Sequence, residues 1–118
     1  MVPNIARLLE GFRAAGAPII YVTLGPRLPD LADAPRHMRA WFEGTNNRPG
    51  NREQDIIEAI APLPGELVVN KTTMGAFAST GIEAALRARR LEALVVTGAS
   101  TNNCVGMTAM EAADRQFG

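Results

Sequence analysis

The stretch Leu91-Glu-Ala-Leu-Val-Val-Thr97, followed by Gly98-Ala-Ser-Thr-Asn-Asn103 and Cys104-Val105, decides the fold class. Its first seven residues are mainly apolar and end in β-branched side chains, which indicates a buried strand. The residues that follow are small or polar, which is typical of a turn. Apolar residues and alanines then recur at helical spacing as far as Ala113, so a helix is expected. Strand, turn and helix in this order form the repeating unit of a parallel α/β sheet.

The amino-terminal part predicts a second helix and strand. A helix is expected over Val2–Ala15, ended by Gly16. The strand Ala17–Thr23 follows; it does not alternate cleanly and should therefore be buried on both faces. Gly25–Gly50 lacks clear periodicity and contains several prolines and the only tryptophan, so we expect a long irregular loop.

The middle of the chain predicts a further unit. We expect a helix capped by Asn51, then the strand Glu66–Asn70 with Lys71 directly after it, and then a helix from Thr80 to about Arg90. The order of elements is therefore a helix and strand three times over, with a last helix after the third strand.

These units predict a single domain over residues 1–118 with a three-layer αβα, Rossmann-like architecture on a parallel sheet. Ligands of such sheets bind beyond the carboxyl ends of the strands. Lys71 and the turn before Cys104 both follow strands, so we expect them at the same edge. Three strands are few for the helices that must pack on them. We therefore expect either a partner chain that completes the core or a longer parent protein.

The composition narrows the class of partner and the compartment. Lys plus Arg and Asp plus Glu both number 12, so the net charge of zero gives no electrostatic reason to expect nucleic acid or a membrane surface. No apolar run approaches a bilayer span, and no secretory signal is visible. The single cysteine cannot form an intrachain disulfide, which fits a cytoplasmic protein.

Cys104 is the candidate for covalent chemistry. At the first turn of a helix, free backbone N–H groups and the helix dipole favour an anion, and a cation such as Lys71 would add to this effect. A thiolate in such a place is a nucleophile, and the same N–H groups can stabilise an oxyanion. The position alone leaves open a small buried cysteine and a solvated loop lysine. A Rossmann nucleotide-binding site has little support, because no Gly-x-Gly-x-x-Gly turn follows a strand.

Two motifs carry a resemblance to a known family. One is Val-Val-Asn-Lys71-Thr-Thr-Met-Gly-Ala-Phe77-Ala-Ser-Thr80-Gly-Ile, and the other is Val-Val-Thr-Gly98-Ala-Ser100-Thr101-Asn-Asn-Cys104-Val105. Together they resemble the isochorismatase-like cysteine hydrolase superfamily, which includes nicotinamidases and N-carbamoylsarcosine and ureidoacrylate-type amidohydrolases. The first helix and strand also look like those of the family. The resemblance implies this hydrolase fold, a small-molecule substrate and a homo-oligomer.

The resemblance also implies residue roles. Cys104 would be the nucleophile, and Lys71 would hold its thiolate beside an aspartate. The backbone N–H groups of Ser100 and Cys104 would form the oxyanion hole, and the bond between Ala99 and Ser100 would be a cis peptide. Phe77, Trp41 and Thr101 are candidates for the wall of the substrate pocket.

The chain departs from the family pattern in two places. No residue matches the family's aspartate, which ends a strand before the first helix; Asp30, Asp33 and Asp55 lie in the wrong places by order. We therefore expect a fragment that lacks the first strand and the C-terminal part of a family member. The Asp-x-His metal pattern of nicotinamidases is also absent, so we expect neither a metal nor another cofactor.

The expected function is cleavage of a C–N bond in a small amide, carbamoyl or ureido compound by the Cys104 thiolate. Isochorismatase and nicotinamidase activities stay open as alternatives. A further alternative, of another class, is a catalytically incomplete fragment that binds small molecules or supports oligomerisation.

Overall fold

The computed structural model describes residues 1–118 and confirms the predicted parallel α/β class. None of its helices combines the length and the apolar character that crossing a bilayer requires. The elements in chain order are helix α1 (Val2–Ala14), strand β1 (Ile20–Leu24), helix α2 (Arg36–Gly44), two 3₁₀ turns (Arg52–Gln54 and Glu58–Ile60), strand β2 (Leu67–Lys71), helix α3 (Ile82–Ala88), a π-helical turn (Thr101–Val105) and helix α4 (Gly106–Asp114).

The two strands form a parallel pair whose register places Lys71 at the functional edge. Ile20 lies opposite Leu67 and Leu24 lies opposite Lys71. The pairing continues one step further, because the Gly25 N–H donates to the Lys71 carbonyl at 2.9 Å. Lys71 is therefore the last residue of β2, whereas the sequence predicted it directly after the strand.

The third strand, expected over Leu91–Thr97, is wrong for this chain: the sheet has two strands. The segment's leucines at 91 and 94 pack against the main core, but its backbone has no neighbouring strand to bind. Only Gly118 contacts it in the manner of a parallel strand, donating to the Glu92 carbonyl and accepting from the Leu94 N–H, both at 2.8 Å. A strand forms only where a partner backbone pairs with it, and within residues 1–118 only Gly118 pairs with this segment.

The expected loop over Gly25–Gly50 is wrong in part, because it contains α2. Met38 and Phe42, one helical turn apart, are buried there with Leu31 and Ala34 in a second, smaller core. The prediction failed because the prolines around this short helix obscured its periodicity.

The expected helix after Asn51 is also wrong; two separate 3₁₀ turns take its place. The Gln54 side chain donates to the Pro26 carbonyl at 2.9 Å and to Asn47 Oδ1 at 3.0 Å. These tertiary hydrogen bonds hold the segment against the loop that follows β1, and this outweighs its local helical preference.

The main core lies between α3, α4 and the loop after β2. Its buried members are Ala76, Phe77, Ile82, Leu86, Ala112 and Phe117. The first strand is not buried on both faces as predicted, since Val22 is 37% exposed, and Val68 on the second strand is 44% exposed. Two strands and the helices around them cannot enclose both faces of the sheet.

An ion pair ties α1 to the start of β2. Arg13 donates to both carboxylate oxygens of Glu66, at 2.9 and 2.8 Å. The Glu66 carboxylate also accepts from the Leu63 N–H at 2.7 Å. The Arg13 guanidinium first, and then the Leu63 N–H, lower the pKa of Glu66 to about 2.

Candidate active site

Lys71 is a buried cation whose three N–H bonds are all used. Its residue is 4% exposed. The ammonium donates to the carbonyls of Thr73 at 2.8 Å and Met74 at 2.7 Å, and to Cys104 Sγ at 3.2 Å. An ammonium has three donors and no acceptor, so this geometry fixes its position completely. The two residues that sequence reasoning placed at one edge are therefore in direct contact.

The charge balance around Lys71 singles out the sulfur. Lys71 forms no ion pair with any carboxylate of the chain. Asp33 accepts from the Arg27 N–H and Asp30 from the Ala32 N–H, so both serve the loop after β1. A buried ammonium is costly without a counter-charge. Among its three partners, only the Cys104 thiol can ionise to supply one.

Cys104 sits just before α4, in the π-helical turn Thr101–Val105. The helix begins two residues later than the sequence predicted. Asn103 leaves the helical region, with φ −125° and ψ −108°, and this bend sets the direction of the cysteine relative to α4. Gly106 is required here, because a Cβ on it would lie 2.5 Å from the Thr101 carbonyl oxygen. The partly buried thiol thus lies at the positive end of α4.

The turn that leads to the cysteine contains the remaining predicted backbone groups. The bond between Ala99 and Ser100 is a cis peptide. The Ser100 carbonyl accepts from the N–H groups of Asn103 and Val105, at 3.0 and 3.2 Å. The Ser100 N–H, by contrast, donates to no group of the chain. A free donor four residues before the sulfur is the kind of group that can bind an oxyanion.

The loop that holds Lys71 is stabilised by hydroxyl groups. We call residues Thr72–Thr80 the lysine loop. Ser79 Oγ accepts from the N–H groups of Thr72 and Thr73, at 3.1 and 3.4 Å, and lies 2.7 Å from Thr73 Oγ1. Thr80 Oγ1 donates to the Ala76 carbonyl at 2.6 Å and accepts from the Ile82 N–H at 3.1 Å, which leads the loop into α3. The loop is therefore closed on itself.

The predicted pocket residues do not converge. Phe77 is 6% exposed and packs on Phe117 in the main core, because the lysine loop folds it inward, and its place in a pocket wall stays a prediction. Trp41 is 49% exposed on α2, where its ring contacts Phe42. Thr101 is exposed in the turn before the nucleophile and stays a prediction.

Met74 was missed as a neighbour of the Cys104 thiol. Its sulfur lies 3.9 Å from Cys104 Sγ, and its side chain packs against the second core. The signal was its place three residues after Lys71 within the lysine motif. Met74 connects the Cys104 sulfur to α2.

Other candidate sites lie elsewhere or lack the needed side chains. A groove of about 580 Å³ runs along α1, lined by Asn4, Leu8 and Phe12 among others, and includes neither Lys71 nor Cys104. No three His, Cys, Asp or Glu side chains lie close enough together to bind a metal ion.

The chain matches a known family over its whole length. The model of the isochorismatase domain matches residues 1–118. N-carbamoylsarcosine amidase of Arthrobacter sp is 33% identical over 120 residues, which cover 99% of this chain and 46% of that protein. A ureidoacrylate amidohydrolase of Methylobacterium radiotolerans is 30% identical over 131 residues, covering 99% of this chain and 51% of that protein.

A solved structure gives the same result in three dimensions. The cysteine hydrolase from Pseudomonas syringae pv. phaseolicola superposes with a TM-score of 0.90 at 28% identity, covering 98% of this chain and 55% of the other. The chain therefore spans about half the length of the proteins that it matches, and the predicted fold is confirmed over that half.

Proposed function

Because this chain belongs to the isochorismatase family, we propose that it supplies the nucleophile of a cysteine hydrolase acting on a C–N bond of a small amide, carbamoyl or ureido compound. The observation that carries the proposal is the contact of 3.2 Å between Lys71 Nζ and Cys104 Sγ. A buried ammonium with no carboxylate partner favours the thiolate form of the thiol beside it. The named activities of the two amidohydrolase relatives support a C–N bond as the target.

In the proposed reaction, the Cys104 thiolate attacks the carbonyl carbon and the carbonyl electron pair moves to oxygen. The resulting oxyanion would accept hydrogen bonds from the N–H groups of Ser100 and Cys104. Collapse breaks the C–N bond, and the leaving nitrogen takes a proton, for which Lys71 is the acid that this chain holds at the sulfur. Water then adds to the thioester, one of its protons passes back to Lys71, and the C–S bond breaks to release the acid product and the thiolate.

The last step needs a base for the water. The family resemblance implies an aspartate, and no carboxylate of residues 1–118 lies at Lys71. We expect that carboxylate to reach the Lys71–Cys104 pair from outside the present residues. Thr101, exposed beside the nucleophile, remains our candidate for contact with substrate.

The test is ammonia release from a panel containing an N-carbamoyl amino acid, a ureido acid, a simple primary amide and nicotinamide. Turnover of a carbamoyl, ureido or amide compound, abolished by Cys104→Ala, is the expected result. Turnover that survives Cys104→Ala would exclude the proposal. Turnover confined to nicotinamide would favour the nicotinamidase alternative.

A second candidate is a binding or oligomerisation unit without activity. The specific observation in its favour is that Lys71 has no carboxylate partner in the chain. Fast alkylation of Cys104 without turnover of any panel compound would favour it. Turnover that depends on Cys104 would exclude it.

A further inference from the structure

We propose that Glu111, together with Thr108, is a positioning residue that fixes the lysine loop and through it holds Lys71 on Cys104. The proposal rests on the proposed function of the Lys71–Cys104 pair. Neither residue touches the sulfur or the ammonium; both act through the backbone that binds the ammonium.

The first step is the placement of the two side chains along α4. Residues 108 and 111 are three positions apart on α4, so they lie on one face of the helix. Thr108 Oγ1 accepts from the Ala76 N–H at 3.1 Å, and Glu111 Oε1 accepts from the Phe77 N–H at 3.3 Å. The helix that begins beside the nucleophile thus binds two consecutive N–H groups of the lysine loop.

The second step is that the contact of Ala76 with Thr108 is buried and that of Phe77 with Glu111 is partly buried. Thr108 is 9% exposed, Ala76 is fully buried and Phe77 is 6% exposed. Water is poorly placed to replace a lost acceptor at such N–H groups. Loss of either side-chain acceptor therefore leaves a buried donor unsatisfied and favours movement of the loop.

The third step connects the loop to the ammonium. Lys71 Nζ donates to the carbonyls of Thr73 and Met74, which directly precede the segment that α4 binds. Thr73 Oγ1 also donates to the Gly75 carbonyl at 2.7 Å, so the two parts of the loop are connected. If residues 75–77 shift, the carbonyls that orient Lys71 shift with them, and its third donor no longer aims at the sulfur.

The test uses the rate of alkylation of Cys104 by iodoacetamide at pH 7, together with the ultraviolet absorbance of the thiolate. Cys104 is the only cysteine, so both signals are unambiguous. We expect Glu111→Ala to slow alkylation about three-fold or more and to lower the thiolate absorbance. A tenfold loss of thiolate would slow the reaction about three-fold and not tenfold, because each thiolate that remains is about three-fold more nucleophilic.

Three variants make the result specific. Glu111→Gln keeps an acceptor for Phe77 and should restore the rate to within about two-fold of the parent, whereas a role for the negative charge predicts no rescue. Met110→Ala, at a position on the same helix that is 65% exposed, is the control and should leave the rate unchanged. Thr108→Val keeps the shape but removes the acceptor for Ala76, and it should slow alkylation as Glu111→Ala does, including when Glu111→Ala does not fold.

Lys71→Met separates this proposal from the proposed function. If Lys71→Met slows alkylation while folded Glu111→Ala and Thr108→Val react like Met110→Ala, the positioning role is overturned and the ion pair stands. If Lys71→Met reacts like the parent, the ion pair itself is overturned, and the positioning role is overturned with it.

Discussion

Gly75→Ala is a sharp test of the packing between the lysine loop and α4. A Cβ on Gly75 would overlap the Glu111 carboxylate and lie 3.0 Å from Met107 Cγ. Gly75 is not among the glycines with positive φ, so we expect no backbone strain from alanine and assign the loss of stability to this contact. The carboxylate is the flexible end of a side chain and can rotate away, but it then leaves the Phe77 N–H.

The expected cost follows from that lost hydrogen bond. A buried donor left unsatisfied costs about 1–3 kcal/mol. The distance from the Phe77 nitrogen to Glu111 Oε1 is 3.3 Å, which is long for a hydrogen bond, so we expect a cost in the lower half of that range. A loss of about 1–2 kcal/mol in a chain of this size lowers Tm by roughly 4–8 °C. Alkylation of Cys104 should also slow, to about the rate of Glu111→Ala.

The assay is thermal unfolding followed by circular dichroism, with alkylation measured on the same samples. Gly81→Ala is the matched control, because Gly81 has a φ of −86° and nothing lies within 4 Å of an added Cβ. The double variant Gly75→Ala/Glu111→Ala should be no less stable than Glu111→Ala alone, because both changes remove the same hydrogen bond, the one between the Phe77 N–H and Glu111. Equal Tm values for Gly75→Ala and Gly81→Ala, or additive losses in the double variant, would refute the reasoning.

The other predictions concern parts of the fold outside the lysine loop. The pKa of Glu66 is lowered from 4.5 to about 2, so the folded chain binds fewer protons there than the unfolded chain does. The stability from its pair with Arg13 should therefore be complete above about pH 4.5 and lost as the pH falls towards 2. Glu66→Gln should remove that part of the pH dependence of unfolding. Gly11→Ala, in the interior of α1 with nothing within 4 Å of the added Cβ, should raise the free energy of unfolding by about 0.5–1 kcal/mol in denaturant titrations; a loss of stability would contradict this. Phe42→Ala should cost about 3–5 kcal/mol because the ring is fully buried, while Trp41→Ala should cost less than about 1 kcal/mol, and equal costs would show that α2 does not pack as described.

The features that sequence could predict are those set by local periodicity and by the rule for parallel strands. The helix α1 has a regular apolar stripe and ends at Ala14, two residues before Gly16, whose φ of 69° an L side chain rarely adopts. The meeting of Lys71 and Cys104 was predicted by placing both after expected strands, and it holds although only the strand before Lys71 forms.

The features that sequence could not predict depend on distant partners. Leu91–Thr97 has the composition of a strand, but strand formation requires a neighbouring backbone that these residues do not find. The packing of Phe77 in the core depends on how the lysine loop folds. The proposed role of Glu111 had one signal in the sequence, its spacing from Cys104. The N–H group that its carboxylate accepts from belongs to Phe77, more than thirty residues away, and nothing in the sequence marks that group.

The most direct test of the ion pair is the alkylation rate of Cys104 at pH 7 in the parent chain and in Lys71→Met. Two opposite charges 3.2 Å apart attract by about 1.3 kcal/mol in bulk water and by more where water is excluded. That is close to a tenfold change in thiolate, so the folded parent should react at least about three-fold faster than Lys71→Met, and faster than the same chain unfolded in guanidinium. Equal rates for the parent and Lys71→Met, both folded, would contradict the account.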